Sequence, residues 1–206
     1  MVQVRLGRRA GAAVPTGGQL ACDGVSPVSA QSERRRATGF ERVTAQAGAA
    51  GGVVEAIHVA TAAAAPVRAV DSVGAIAGVG LEGDRYSYGG GHYQDARVSR
   101  DLTLVDAEAI EALAREHDIA LAPGETRRNL TTRGLSLNEL VGRRFWVGEV
   151  LCQGTRLCEP CQYLADLTGK PLLGPLVHRG GLRADILRDG VIQVGDQLRP
   201  VDEDQR

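Results

Sequence analysis

Short segments in which apolar or β-branched residues alternate with polar ones recur along the chain, and this period of two predicts short β-strands. Two of them lie between 143 and 153, on either side of Gly148. The dipeptide Asp189-Gly190 is a typical hairpin turn and predicts pairing of the segments that flank it. The other predicted strands cover 53–59, 67–73, 102–105, 129–132, 182–187 and 191–198.

Helical periodicity is found in few places. Asp106 precedes a segment in which Ile110, Leu113 and His117 recur at three- and four-residue spacing, so Asp106 is predicted to cap a helix. Residues 136–139, Ser-Leu-Asn-Glu, fit a capping box that opens a second, short helix. Many short strands with few helices predict a mostly-β fold, a barrel or a sandwich with flanking helices.

The composition divides the chain. Residues 1–51 hold seven arginines against three acids and show no apolar period, which predicts a disordered extension; a basic targeting arm and an over-extended translation start remain open. Residues 52–199 are predicted to form one domain around one core, and residues 200–206 a polar tail.

Bulk charge and aromatic content exclude some classes of partner. The net charge of -1 and the aromatic content of 3% argue against binding to nucleic acid. The chain has no secretory apolar segment and no run long enough to span a bilayer. We therefore expect a cytoplasmic protein, with no membrane partner, whose four cysteines are reduced at rest.

The segment Cys158-Glu159-Pro160-Cys161 is the strongest chemical signal in the chain. Pro160 suits the first position of a helix that runs to about Thr168, with Gly169 past its end. Cys161 would then be the second helical residue, where unpaired backbone N–H groups lower the pKa of a thiol. Such a thiolate can be a nucleophile, a sulfur carrier or a soft metal ligand, and the residues alone do not separate these roles.

Other interpretations of the cysteines are open as well. Cys158 fits an auxiliary or resolving thiol, while Cys152 in a predicted strand fits a buried core thiol. A thioredoxin-type exchanger expects a βαβ context that this chain lacks. A zinc site could use both CxxC cysteines with Cys152 and His178, but no second CxxC or HxH pair supports it. The CxxC could also be incidental to a structural β-domain.

A second signal is the run Arg127-Arg128-Asn129. Adjacent guanidinium groups can clamp a phosphate, and an asparagine can hydrogen-bond a heterocycle; the alternative is a solvated charged loop. Two further loops carry arginines that could complete an anion pocket. The first is Asp84-Arg85, which could equally be a structural ion pair. The second is the loop from Arg179 to Arg183, in which Gly180 and Gly181 would let the backbone approach a ligand closely. His178 is the best histidine candidate.

Taken in order, these motifs resemble the MOSC domain, a family named for the C-terminal domain of molybdenum cofactor sulfurase. The likeness spans about residues 52–199. The matching fragments are Gly-Leu-Glu-Gly-Asp-Arg at 80–85, Leu-Val-Asp-Ala-Glu at 104–108, Arg-Arg-Asn-Leu-Thr-Thr-Arg-Gly at 127–134, Cys-Glu-Pro-Cys at 158–161, Arg-Gly-Gly-Leu at 179–182 and Gly-Asp at 195–196.

The resemblance implies a β-barrel of mixed strands with a few flanking helices, and binding of the molybdenum cofactor, molybdopterin. It implies that Cys161 is the molybdenum ligand and that Arg127, Arg128 and Asn129 hold the pterin and its phosphate. It gives Asp84 and Arg85 no defined role; we count Arg85, Arg179 and Arg183 with the cofactor-binding residues, and Asp84 and His178 as auxiliary ones.

Two functions follow from the resemblance. The first is a molybdenum-dependent reductase of N-hydroxylated or N-oxide small molecules, supplied with electrons by a separate protein. The second is a non-catalytic sulfur carrier, in which Cys161 accepts sulfur as a persulfide from a donor and delivers it to a metal–sulfur or molybdenum cofactor assembly. Pyridoxal phosphate belongs to a fused domain of the sulfurase; this chain has no room for it and a single lysine, Lys170, so that cofactor is not expected.

Overall fold

The computed structural model describes residues 51–89 and 101–201, all within a compact unit that spans Ala45–Arg206. The predictions for residues 1–50 and for the tail beyond 201 lie outside the described residues. The described residues form two α-helices, α1 (Ala107–His117) and α2 (Gln162–Thr168), with 3-10 helices at Pro123–Thr126 and Leu137–Leu140. The strands are β1 (Gly52–Val59), β2 (Arg68–Val70), β3 (Ser72–Ile76), β4 (Gly80–Leu81), β5 (Leu102–Asp106), β6 (Leu130–Arg133), β7 (Arg144–Val147), β8 (Val150–Leu157), β9 (Leu182–Ile186), β10 (Gly190–Gln193) and β11 (Gln197–Pro200).

Seven strands close into a barrel in the order β1-β6-β5-β9-β8-β7-β11, and β11 pairs back onto β1. Every pairing in the barrel is antiparallel except β5 with β6, so the sheet is mixed. Alternate residues point inward and fill the interior, among them Phe145, Leu104, Leu130 and Leu182, each fully buried. The predicted mixed β-barrel is confirmed. A small second sheet has the order β10-β3-β4.

Both helices cover the outside of the barrel beside β5. Val105 points outward from β5 into a second apolar cluster, which includes Ile110 and Leu113 of α1 and Leu164 of α2. Cys161 packs against the same cluster. The two helices therefore share a small core, and this core fixes the place of the CxxC segment relative to the barrel.

The hairpin predicted at Asp189-Gly190 is wrong. β9 pairs with β5 and β8, whereas β10 pairs with β3, so the segments on either side of the turn belong to different sheets. The carboxylate of Asp189 instead accepts the N–H of Ala77 at 2.7 Å. The predicted strand 191–198 is also divided, because Gly195 has φ +94° and the chain turns there from β10 into β11.

The helix starts also differ from the prediction. α2 begins at Gln162, and Cys161 takes the extended N-cap position with φ −134° and ψ 159°, so neither Pro160 nor Cys161 is helical. Asp106 does precede α1, but its carboxylate accepts the N–H of Leu137 at 3.3 Å rather than capping that helix. The predicted stop of α2 at Gly169 is confirmed by a φ of +65°.

Within the described residues no helix has both the length and the apolar character that crossing a membrane requires.

Candidate functional site

The CxxC segment leaves the end of β8 and lies on the glycine pair that precedes β9. The N–H of Cys158 donates to the carbonyl of Gly181 at 2.7 Å. A Cβ at Gly180 would lie 2.4 Å from the Cys158 oxygen, and one at Gly181 would lie 1.9 Å from the Leu104 oxygen. Both positions need glycine because backbone contacts backbone there. The pair holds the CxxC segment instead of opening space for a ligand.

The two cysteines of the motif differ in exposure. Cys158 is 2% exposed, whereas Cys161 is half-buried at the start of α2, where its carbonyl accepts the N–H groups of Leu164 and Ala165. Cys152 lies inside the barrel, and burial raises the pKa of its thiol to about 12. Among the three described cysteines, Cys161 is therefore the one that a reagent or ligand can reach.

Arg128 braces this segment. Its Nε donates to the carbonyl of Gly180 and its Nη2 to the carbonyl of Cys158, both at 2.8 Å. One guanidinium thus links the CxxC segment to the glycine pair through two charge-assisted hydrogen bonds. The predicted cofactor contact of Arg128 stays a prediction, and its positioning of the segment is a role that sequence reasoning missed.

Asn129 is a buried hub whose side chain is fully used. Its Oδ1 accepts the N–H of Thr103 at 3.2 Å and the Thr103 hydroxyl at 2.8 Å. Its Nδ2 donates to the carbonyl of His58 at 3.2 Å and to Asp84 Oδ2 at 3.3 Å. An amide has two donor hydrogens and two acceptor lone pairs, so these four bonds complete its capacity. Asn129 thereby ties β1 and β5 to the turn that carries Asp84.

Asp84 is 2% exposed and orders that turn. Its carboxylate accepts the N–H groups of Ala60 at 3.1 Å and Tyr86 at 3.2 Å. The same carboxylate pairs with Arg85 Nη1 at 3.3 Å, which is the ion pair anticipated from the sequence. The guanidinium of Arg85 also lies 4.8 Å from the ring centre of Tyr86, and Arg85 is only 8% exposed. Asp84 therefore acts as the support that presents Arg85.

Arg127 is the site residue whose polar groups are not all satisfied. Its Nη1 donates to the carbonyl of Ala65 at 2.9 Å, but its buried Nη2 has no hydrogen-bond partner among the described residues. Burial lowers the pKa of Arg127, and the positive charge of Arg85 lowers it further. The guanidinium groups of Arg127 and Arg85 thus lie near each other, and the carboxylate of Asp84 is the negative charge beside them. That arrangement suits an anionic ligand.

The backbone at Arg127 forms the C-cap of the 3-10 helix Pro123–Thr126. Arg127 has φ +55°, a left-handed conformation that favours glycine and costs another residue about 1–2 kcal/mol. Tyr163, two residues after Cys161, is close enough to influence the pKa of Arg127. The start of α2 therefore lies near the Arg127 side chain.

The side chains of the remaining candidates make other contacts. Arg179 Nη1 pairs with Glu116 of α1 at 2.8 Å, and Arg183 points outward from β9, opposite the inward Leu182 and Ala184. His178 is exposed, and its Nδ1 lies 2.9 Å from Glu159, the second residue of the CxxC motif. The structure thus gathers Arg85, Arg127, Arg128, Asn129, Asp84 and both CxxC cysteines around one end of the barrel, and gives Arg179, Arg183 and His178 other partners or another face.

The alternative metal set does not assemble. Cys152 faces the barrel interior, away from the surface on which His178 lies. The described residues contain no group of three or more histidine, cysteine or acidic side chains that could hold a metal ion. A zinc site built from Cys152, Cys158, Cys161 and His178 is therefore wrong. A thioredoxin-like context is absent too, because the CxxC follows an antiparallel barrel strand.

Comparison with known structures supports the fold. The YuaD protein from Bacillus subtilis superimposes with a TM-score of 0.62 at 16% identity, over 72% of this chain and 94% of that one. YiiM from Geobacillus stearothermophilus gives 0.56 at 18% identity, over 73% and 75% of the two chains, and YiiM from Escherichia coli gives 0.54 at 21%, over 73% and 70%. No curated protein matches the sequence.

The family model described as the MOSC domain matches residues 85–199, more than half of the chain. The match contains Arg85, the Arg127-Arg128-Asn129 run and the CxxC segment, whereas β1, which closes the barrel, precedes it. The chain therefore belongs to the MOSC domain family.

Proposed function

We propose that this protein binds the molybdenum cofactor and reduces N-hydroxylated or N-oxide small molecules, with Cys161 as the molybdenum ligand. MOSC domains are associated with this cofactor at the level of the family. The observation that carries the proposal is the buried, unpartnered Nη2 of Arg127 next to Arg85. A buried donor without a partner costs about 1–3 kcal/mol, and this cost falls if a ligand oxygen accepts the bond.

The phosphate of the cofactor fits the arginine pair. Arg127 and Arg85 are held by Ala65 and Asp84, so both cations are positioned before a ligand arrives. The local charge, two cations and one carboxylate, leaves an excess of one positive charge for an anion. Arg128 and Asn129 are positioning residues in this proposal, because their hydrogen bonds within the protein fix the segment on either side.

The metal end fits Cys161, the accessible thiol among the three described cysteines. A metal ion bound by protein alone needs about four ligands, and the described residues offer no such cluster. One soft thiolate at Cys161 instead suits a metal that arrives with most of its ligands already in place, as in a pterin dithiolene. When bound, the cofactor supplies the redox chemistry; reduction of an N–OH group to N–H takes up two electrons and two protons and releases water.

Metal content tests the role of Cys161. Protein purified from a host that makes the cofactor should contain about one molybdenum atom per chain by mass spectrometry, because one thiolate would bind one cofactor. Cys161→Ser should lose the metal, while Cys152→Ala, which removes a thiol inside the barrel, should keep it. Metal retained in Cys161→Ser with a folded chain would contradict the assignment.

Pterin content tests the role of Arg127. Arg127→Gln should lose the oxidised-pterin fluorescence released from the wild-type protein, because both the cation and the unpartnered Nη2 are removed. Arg68→Gln is the control, since Arg68 is an exposed arginine on β2 with no ion pair among the described residues. Equal pterin in both variants would refute the phosphate site.

The exposure of Cys161 favours a second function, that of a sulfur carrier. A donor persulfide would pass its outer sulfur to the Cys161 thiolate, which becomes a persulfide while the donor leaves as a thiolate. Cyanide-releasable sulfur on the wild type but not on Cys161→Ser, in protein without molybdenum, would support the carrier and exclude the reductase.

A further inference from the structure

The outer face of four adjacent barrel strands, β11-β7-β8-β9, is rich in arginine. Phe145 and Val147 of β7 and Leu198 of β11 face the interior, so Arg144, Trp146 and Arg199 face outward. On β8 and β9 the outward residues include Arg156 and Arg183, and Arg188 follows β9. We call this surface the arginine face: Arg144, Arg156, Arg183, Arg188 and Arg199.

These arginines are not neutralised by carboxylates. Arg156 and Arg183 are paired directly across β8 and β9, a like-charge arrangement that weakens a sheet. No salt bridge joins any member of the arginine face to a described residue, although Asp185 lies on the same side of β9. By contrast, Arg133 pairs with Glu55 and Glu111, near α1. Among the described residues, the arginine face therefore carries an excess of positive charge.

Trp146 gives this face an apolar centre. The guanidinium of Arg188 lies 5.7 Å from its ring centre, and Arg199 is its direct partner on β11. Tryptophan and arginine are both enriched at the hot spots of protein interfaces, and here a half-buried tryptophan lies beside two arginines.

The arginine face also reaches the candidate site. Leu151, the partner of Trp146, and Arg156 are both on β8, and a strand rises about 3.3 Å per residue, so they are roughly 17 Å apart. Arg156 precedes Cys158 by two residues. A partner that covers this face would therefore approach the CxxC end of the barrel.

We infer that the arginine face is the docking surface for a small acidic electron-carrier protein. Charge complementarity selects an acidic partner, and the role of that partner as electron donor rests on the proposed reductase function. A nucleic acid fits less well, because binding of single strands uses several aromatic platforms and this face has one. The convex outer side of a barrel also offers no groove for a strand.

The test measures binding of the full chain to an immobilised plant-type [2Fe–2S] ferredoxin at 50 and 300 mM NaCl. The wild type should bind at low salt and weaken about tenfold or more at high salt, because the interacting charges are exposed. Arg144→Glu with Arg199→Glu should weaken low-salt binding about tenfold or more. The control Arg68→Glu, an exposed strand arginine elsewhere, should bind as the wild type does.

A second measurement separates the failure of this inference from the failure of the reductase proposal. Turnover driven by reduced methyl viologen needs no docked protein, so the double variant should retain it and lose only ferredoxin-driven turnover. Ferredoxin binding by protein that contains no molybdenum would refute the reductase proposal but would still support the docking surface. Equal binding by the double variant, or tighter binding to an acidic vesicle or an oligonucleotide than to ferredoxin, would overturn the inference.

Discussion

Removal of the Arg128 guanidinium should destabilise the CxxC segment by an amount that follows from its two bonds. Each hydrogen bond from a charged donor contributes about 1.5–3 kcal/mol, and Arg128 makes two, to Gly180 and Cys158. Since the side chain is half-buried, the lower end of that range applies, and Arg128→Ala should lose about 3 kcal/mol of unfolding free energy. Arg128→Lys keeps the charge but lacks the rigid guanidinium that bonds to both carbonyls at once, so this variant should lose about half of that free energy.

Urea unfolding with linear extrapolation measures the loss, and thiol labelling locates it. If the brace holds the segment locally, Cys158, which is 2% exposed in the native protein, should react with a maleimide in Arg128→Ala before global unfolding. Arg68→Ala serves as the control for loss of an exposed arginine. A loss below about 0.5 kcal/mol in Arg128→Ala, the usual range for a surface substitution, would refute the brace.

Three further changes test other parts of the structure. Burial raises the pKa of Asp106 to about 6, above its ordinary value of 3.8, so between these values the folded state binds more protons than the unfolded state, and the free energy of unfolding should fall as the pH rises from about 4 to 6. Asp106→Asn should remove that slope and stabilise the protein at pH 7 by about 1–2 kcal/mol, a figure reduced for screening by solvent. A wild type whose stability is constant between pH 4 and 7 would contradict this. Gly180→Ala should cost about 1–3 kcal/mol because its Cβ would lie 2.4 Å from the Cys158 oxygen, whereas Gly174→Ala, whose Cβ would meet no atom within 4 Å, is the control; thermal unfolding compares them, and equal midpoints would argue against a tight contact. Asn129→Ala should lose about 2 kcal/mol or more in urea unfolding, since it leaves buried partners on three segments without their bonds, and a loss near zero would show that the hub is dispensable.

The strands of the barrel could be predicted because their alternation is local. The segment 53–59 appears as β1, and the two strands around Gly148 appear as β7 and β8. Pairing is not local, and the predicted hairpin at Asp189-Gly190 is wrong for this reason: β10 pairs with β3, whereas β9 pairs with β5 and β8. A turn signal reports backbone preference over four residues and carries no information about which sheet each arm joins.

Several candidate residues of the site lie together in the fold, but their hydrogen-bond partners could not be predicted from the sequence. Arg128 reaches carbonyls 30 and 52 positions away in the chain, and Asn129 reaches a carboxylate 45 positions away, in Asp84. Such partners are fixed by barrel closure, which no local pattern encodes. The sequence therefore pointed to Arg127, Arg128 and Asn129. Only the fold shows that Arg128 and Asn129 bond to groups of the protein, whereas Nη2 of Arg127 has no hydrogen-bond partner among the described residues.

Arg127 combines a left-handed backbone with a partly unsatisfied guanidinium, and the proposed anion site accounts for the second of these features. Its neighbour Thr126 ends a 3-10 helix and its neighbour Arg128 is bound to the CxxC segment, so the chain must reverse at Arg127, and a glycine there would avoid the cost of φ +55°. Arginine instead adds two further costs, a buried N–H without a partner and repulsion from Arg85. An anionic ligand lowers both of these costs, whereas it does nothing for the backbone strain. The left-handed backbone itself is the C-cap of the 3-10 helix Pro123–Thr126, so under the proposed function the ligand accounts for the unpartnered guanidinium and the fold accounts for the φ value.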